Sequence, residues 1–384
     1  MPNRMLIALA VLGLAALPTS IAAQIVVSAN DGSAVLVDGV NVVPSPPGTD
    51  TVTILDASQT PPRVIAELEA PSSVIGPPQN VAISPDNRLA VVSSSTKVDP
   101  ADPTRTIPDD TLTVIDIGAG SPAVVGTATA GPMASGLSFT PDGRLLLVAN
   151  RGNGTVSVFT VSGQTLTPAG TIDFEAPASG PSHVAVTPDG RRALVSRDGD
   201  SFVSVLAIEG QQVTYDGENL AAGLKPYGMA ITPDGHYALV ANVGGGATGS
   251  VDTVAIIDLT LEPARTVNYA TVGVTAEGIA LSPDGRHAAV TVMNGSNAAP
   301  DSPLFNDFGR LRVFAFEAGA LRPVAEARVG HWCQGVVWTN TSTVLAQCPT
   351  EREIQVFTFD GAALTPAGAI PVDGAPVGIA AGTQ

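Results

Sequence analysis

Two cysteines, two lysines, two tryptophans and four histidines are thinly spread over 384 residues, and aromatic side chains make up only 4% of the chain. So few rings exclude a core built on large aromatic side chains. With 40 glycines and 32 prolines, the interior has to be assembled from small aliphatic residues between frequent turns. Two cysteines without CxxC spacing exclude a thioredoxin-like redox motif and a zinc ribbon. GxSxG elbows, phosphate loops, dinucleotide fingerprints and CxxCH haem sites are also missing, so no cofactor is named by the sequence and its identity stays open. Gly244-Gly245-Gly246 is followed by no helix pattern and reads as a flexible loop. Basic residues are outnumbered 18 to 35, for a net charge of −17, and such a surface repels phosphate backbones; nucleic acid is not an expected partner. Helix-period apolar stripes are hard to find, which leaves an all-β chain.

Long apolar runs are missing too, except at the start. Arg4 supplies a positive n-region, Met5 to Leu17 an apolar stretch too short to span a bilayer, and Ser20-Ile21-Ala22 a small-x-small cleavage pattern. Residues 1–23 therefore read as a signal peptide, with a mature chain from near Ala23 or Gln24, a periplasmic or secreted location, and no membrane span once the signal is removed. Export fits the cysteine count. Cys333 and Cys348 flank a hairpin turning near Thr339 to Ser342 that would set them opposite one another, and a bridge closing a loop of this size is worth about 3 kcal/mol. A structural disulfide is expected rather than a thiolate nucleophile or metal ligand.

What is present is a repeated phrase. Ser84-Pro85-Asp86-Asn87, Thr140-Pro141-Asp142-Gly143, Thr187-Pro188-Asp189-Gly190, Thr232-Pro233-Asp234-Gly235 and Ser282-Pro283-Asp284-Gly285 recur 45 to 56 residues apart, each between two apolar runs. Pro presets φ for a tight turn, Asp bonds nearby backbone, and Gly or Asn tolerates positive φ at the exit, so the phrase writes a hairpin. The spacing is that of four-stranded propeller blades. Degenerate copies start at Cys333 and at Pro376, while Gln24 to Asn30 reads as a second strand lacking its first. The two ends then complete one blade, which removes an open sheet edge. Seven blades result: 376–384 with 24–70, then 71–130, 131–174, 175–224, 225–273, 274–330 and 331–375. Residues 24–384 are thus expected to form one seven-bladed β-propeller closed by pairing of the C-terminal strand with the N-terminal blade.

The segment from Leu147-Val148-Ala149-Asn150 through Gly154-Thr155-Val156-Ser157-Val158 is similar to the tyrosine-valine-threonine-asparagine (YVTN) repeat, and Ala238-Leu239-Val240-Ala241-Asn242 repeats its core. Over nearly its whole length the chain resembles the YVTN and lactonase-like seven-bladed propeller group, which includes enzymes and binding proteins.

Propeller topology brings the residues that precede each first strand to one channel mouth. These are Gln79, Ser135, Ser182, Tyr227, Glu277, Gln334 and Val377, with His183 one step inward, and with Lys225, His331 and Trp332 on the same face. The extra residues of blades one, two, five and six rise around that mouth, and long loops over a polar concavity are where binding sites form. His236 and His287, next to turn glycines on the far face, read as solvated. Gln79, Tyr227, His331, Trp332 and Gln334 are the candidate ligand contacts for a small molecule or partner protein. A lactonase-type hydrolase is the alternative. The strand Pro181 to Val186 resembles the histidine-bearing strand of such lactonases, which implies His183 as general acid or base, Glu277 as its carboxylate partner or a second base, and Lys225 or Arg197 as oxyanion stabilisers. Blade five departs from that pattern, carrying Lys225-Pro226-Tyr227-Gly228 and Asn242-Val243. His183, Glu277 and His331, or Asp99, Asp102, Asp109 and Asp110, show no ordered ligand spacing, so no metal site is expected.

Overall fold

The computed structural model describes residues 24–246 and 249–383, and the expected signal peptide lies outside them. The turn phrase forms as its chemistry dictates. In Thr140 to Arg144, the Thr140 hydroxyl donates to Asp142 Oδ1 at 2.6 Å and accepts the Leu145 N–H at 3.0 Å, while Asp142 Oδ1 accepts the Arg144 N–H at 3.0 Å. Gly143 takes a φ of 69°, and Asn87 at 56° fills the same position in blade two. Each such turn joins the first and second strands of a blade.

Seven four-stranded antiparallel sheets follow, with the fourth strand of blade four split into Gln212–Thr214 and Asn219–Ala221. Blade one is the closing one. Its innermost strand, Ala375–Ala381, pairs with Ile25–Asp31, which pairs with Thr51–Asp56 and then Arg63–Glu69, so both chain ends share one sheet. The second strands are buried on both faces because neighbouring blades cover them. Leu145–Asn150 is buried at every position, which explains why its apolar run is continuous rather than alternating. Outermost strands such as Arg63–Glu69 are mostly exposed. The core is a ring of separate interblade clusters, for example Leu145, Leu147, Val158, Val184, Val195 and Leu206 between blades three and four.

The recurrent asparagine has a structural task. Asn150 Nδ2 donates to the hydroxyls of Thr155 at 2.8 Å and Ser157 at 3.0 Å, and its Oδ1 accepts the Gly131 N–H at 3.0 Å. It ties second strand, third strand and the incoming interblade connection together in a buried position. Asn30 and Asn242 repeat the bonds to threonines of the third strand.

The insertions of blades one and two contain small hairpins standing off their blades: Val35–Val37 pairs with Val40–Val42, and Thr96–Asp99 with Asp102–Pro108. One expectation needs correction: His287 is not freely solvated, since its ring packs edge-on against Phe359 with centroids 5.0 Å apart. Cys333 and Cys348 are bridged, as the flanking hairpin leads one to expect, and both are fully buried. Among the described residues, no helix is long and apolar enough to cross a membrane.

Candidate functional site at the channel mouth

First strands approach one another around the axis. Ser135 Oγ donates to the Ser182 carbonyl at 3.0 Å and Ser196 Oγ to the Tyr227 carbonyl at 2.6 Å, joining blades three, four and five. Gln334 of blade seven donates through Nε2 to the carbonyls of Gly76 and Val377, both at 2.7 Å. This glutamine is almost wholly buried, with its donor committed to holding the closing blade.

On the side of blades three to six the mouth carries charge. Arg151 follows the last residue of Leu145–Asn150, and Asp198 follows Arg192–Arg197, so the same position in adjacent blades presents a cation and an anion. They pair at 2.9 Å with side chains 24% and 17% exposed. Arg151 also donates to the Ser182 hydroxyl and lies over the Tyr227 ring, 5.6 Å from its centroid. Burial works against its charge, and Tyr227, Asp198 and Glu277 together outweigh that effect.

Glu277 stands in the first strand of blade six. Burial pushes its carboxyl up to about 7; Arg151 opposes this and Asp198 reinforces it. Its Oε2 is buried with no hydrogen-bond partner, and so is Oε1 of Gln79, which arrives from blade two. Gln79 crosses towards blade five. A Cβ on Gly228 would fall 2.4 Å from Gln79 Nε2 and 2.4 Å from the Glu277 carbonyl oxygen, so only glycine allows these three chains to meet. Burial also raises the Tyr227 hydroxyl, keeping it a neutral donor.

The other candidates are placed differently. His183 turns its Nδ1 to accept the Met229 N–H at 3.1 Å, a tie between blades four and five, and burial lowers its ring to about 3. It lines an aliphatic channel segment of about 350 Å³ with Met229, Ile279, Val337 and Ile379. Arg197 is directed outward: its guanidinium donates to Ser204 and Asp200 and stacks over Phe174, 4.8 Å from the ring centroid. Lys225 is exposed on the rim, its backbone N–H bonded to Ser201 Oγ. His331 lies between Glu351 and Asp307, with Nδ1 2.6 Å from Glu351 Oε1 and Nε2 3.1 Å from Asp307 Oδ1. Trp332 is buried below the Val35–Val42 hairpin, lining a small cavity with Leu36 and Val377.

Geometry thus gathers Tyr227, Glu277 and Gln79 and adds Arg151, whose role the sequence reading missed. The available signal was Arg151 standing one residue beyond the repeated asparagine, where blade five has Val243 and blade four, one blade on, has Asp198.

No family model matches the chain, and no curated protein matches it. Solved structures do. A periplasmic gluconolactonase from Pseudomonas aeruginosa is 18% identical with a TM-score of 0.66, over 94% of this chain and 99% of its own. A proposed 6-phosphogluconolactonase from Bacteroides fragilis is 16% identical with a TM-score of 0.71, over 95% and 99%. A protein of unknown function from Desulfotomaculum acetoxidans is 18% identical with a TM-score of 0.64, over 86% and 95%. At such identities the likeness is one of fold, the seven-bladed propeller of lactonase-like structures, and function has to be argued from the site.

Proposed function

We propose that this is an exported propeller whose channel mouth binds a small polar molecule between Arg151, Tyr227, Glu277 and Gln79. One observation carries the reading: the acceptors Glu277 Oε2 and Gln79 Oε1 are buried without a protein donor, beside an arginine and a neutral phenol. Buried polar atoms are rarely left unpaired, and a ligand bearing hydroxyl or amine donors would satisfy both. Arg151, held by Asp198 and Ser182, would take a carbonyl or carboxylate oxygen of the same ligand. Export is supported by the N-terminal pattern and the buried disulfide.

Hydrolysis of a lactone is the second reading, favoured by a carboxyl poised near neutrality next to a fixed guanidinium. Glu277 would accept a proton from the attacking water, and Arg151 with the Tyr227 hydroxyl would stabilise the oxyanion. In this reading Glu277 takes the role that the sequence suggested for His183, whose ring stays neutral and bonded to backbone.

A thermal-stabilisation screen of purified protein against hydroxy acids, lactones, amines and sugars tests the binding reading. A hit that stabilises the wild type and is lost in Arg151→Gln and Glu277→Gln supports it. A hit that survives both substitutions, or stabilisation only by a partner protein, rejects it. Turnover of the same lactones, lost in Glu277→Gln, separates enzyme from binder.

A further inference from the structure

Below the mouth the channel changes chemical character. The segment of about 350 Å³ starts at Gln79 and Gly278 and follows the first strands to Ser282 and the exposed prolines Pro233 and Pro283 of the far-face turns. From Gly278 to Ser282 this path is roughly 13 Å long, at about 3.3 Å per residue of strand. Of the described residues that line it none is charged, and Gln79, His183 and Ser282 carry the polar side chains. Two of these are engaged: His183 Nδ1 accepts the Met229 N–H at 3.1 Å, while Ser282 Oγ donates to Asp284 at 2.6 Å and accepts the His287 N–H at 3.0 Å. Gln79 Oε1, at the mouth end, is buried without a donor. An unsatisfied acceptor therefore stands at one end, and aliphatic side chains such as Met229, Ile279, Leu281 and Ile379 line the rest.

We propose that mouth and channel together hold one uncharged amphiphile, with a head bearing hydroxyl or amide donors and a carbonyl at Gln79, Glu277 and Arg151, and a single unbranched aliphatic chain descending past His183 towards Pro283. This rests on the reading that the mouth binds a small polar molecule. Gln79 joins the two halves, since it belongs both to the mouth and to the channel lining. Charge selects the head: Arg151 is already paired with Asp198 at 2.9 Å and Glu277 adds another carboxyl, so an anionic head gains little there. Head donors satisfy Glu277 Oε2 and Gln79 Oε1, and the carbonyl accepts from Arg151. The chain then contributes through burial against aliphatic side chains, in proportion to its length.

The test is calorimetric titration of the purified protein with N-acylethanolamines from acetyl to decanoyl, which share one uncharged head with hydroxyl, amide N–H and carbonyl groups. Each added methylene should tighten binding about fourfold, until the chain reaches the far-face prolines and the gain stops. Two half-buried lining positions report on the chain: Leu281→Asn and Ala230→Phe should weaken the octanoyl and decanoyl homologues and leave the acetyl one unchanged. Arg151→Gln should weaken every homologue by the same factor. Affinity that is flat along the series, while the mouth still binds small polar ligands, overturns the amphiphile and leaves the mouth reading standing. A rise with chain length that neither lining variant alters places the chain elsewhere and also overturns it. A rise that survives both Arg151→Gln and Glu277→Gln overturns the proposal together with the mouth reading, and binding of no homologue overturns the proposal outright.

Discussion

Arg151 of blade three and Asp198 of blade four, 47 residues apart in sequence, form a 2.9 Å ion pair across the channel mouth. Both occupy the position just past the second strand, so the pair is a product of repeat geometry. Asp198→Ala should leave Arg151 held only by Ser182 and the Tyr227 ring and cost about 1–2 kcal/mol, between the values for exposed and buried pairs, since both side chains keep some solvent contact. Urea unfolding measures this. Ligand affinity should fall with it, because an arginine free to change rotamer no longer presents a fixed donor. Unchanged affinity would show that Asp198 does not orient Arg151.

His183 provides the contrast to Glu277. His183→Ala removes the acceptor of the Met229 N–H and should destabilise the protein by about 1–3 kcal/mol, the cost of an unsatisfied buried donor. The folded ring is depressed to about 3 while the unfolded ring titrates near 6.5, so the neutral histidine stabilises the fold above 6.5 and that contribution is lost as pH falls towards 3. The wild type should therefore lose more stability than His183→Ala between pH 6.5 and 4. If lactone turnover exists, His183→Ala should leave its pH midpoint unmoved; a shifted midpoint would return the proton-transfer role to His183.

The architecture was legible because turn chemistry is local. Thr140, Asp142 and Gly143 bond to one another within five residues, so their spacing in the sequence is already a hairpin, and counting copies counts blades. Closure through Ala375–Ala381 could be read from a first strand missing at one end and left over at the other. The mouth was legible as a ring of positions, which is how Tyr227, Glu277 and Gln79 were found. Direction of a side chain was not. Arg197 ends a strand and Arg151 follows one, and that single step of the alternating pleat sends one outward to Phe174 and the other towards Tyr227. For His183, the deciding fact is a backbone N–H one blade away, which no local pattern encodes.

The asparagine of the repeat should prove a stability determinant with no part in ligand binding. Asn150→Ala leaves the Gly131 N–H with Ser157 Oγ as its one remaining acceptor and takes the shared donor from the Thr155 and Ser157 hydroxyls, in a position with no solvent exposure. A loss of about 1–3 kcal/mol is expected, with ligand affinity per folded molecule unchanged. Denaturant titration and calorimetric binding on the same variant check both halves.

Glu277 gives the sharpest pH signature. Its folded carboxyl is raised to about 7 against an ordinary 4.5, so the folded state binds more protons than the unfolded state between those values. The stabilising effect of the protonated form is complete below 4.5, declines as pH rises through the window and is gone above 7, a loss of at most ~3 kcal/mol. Asp31, also raised to about 7 by burial, titrates in the same window, so the contribution of Glu277 has to be read from a difference. Glu277→Gln should be more stable than the wild type at pH 8 and nearly equal to it at pH 4.5, with Asp31 cancelling between the two. Parallel pH profiles for the two proteins would mean that the carboxyl ionises normally, and with it would go the case for Glu277 as the proton-transfer group of the mouth.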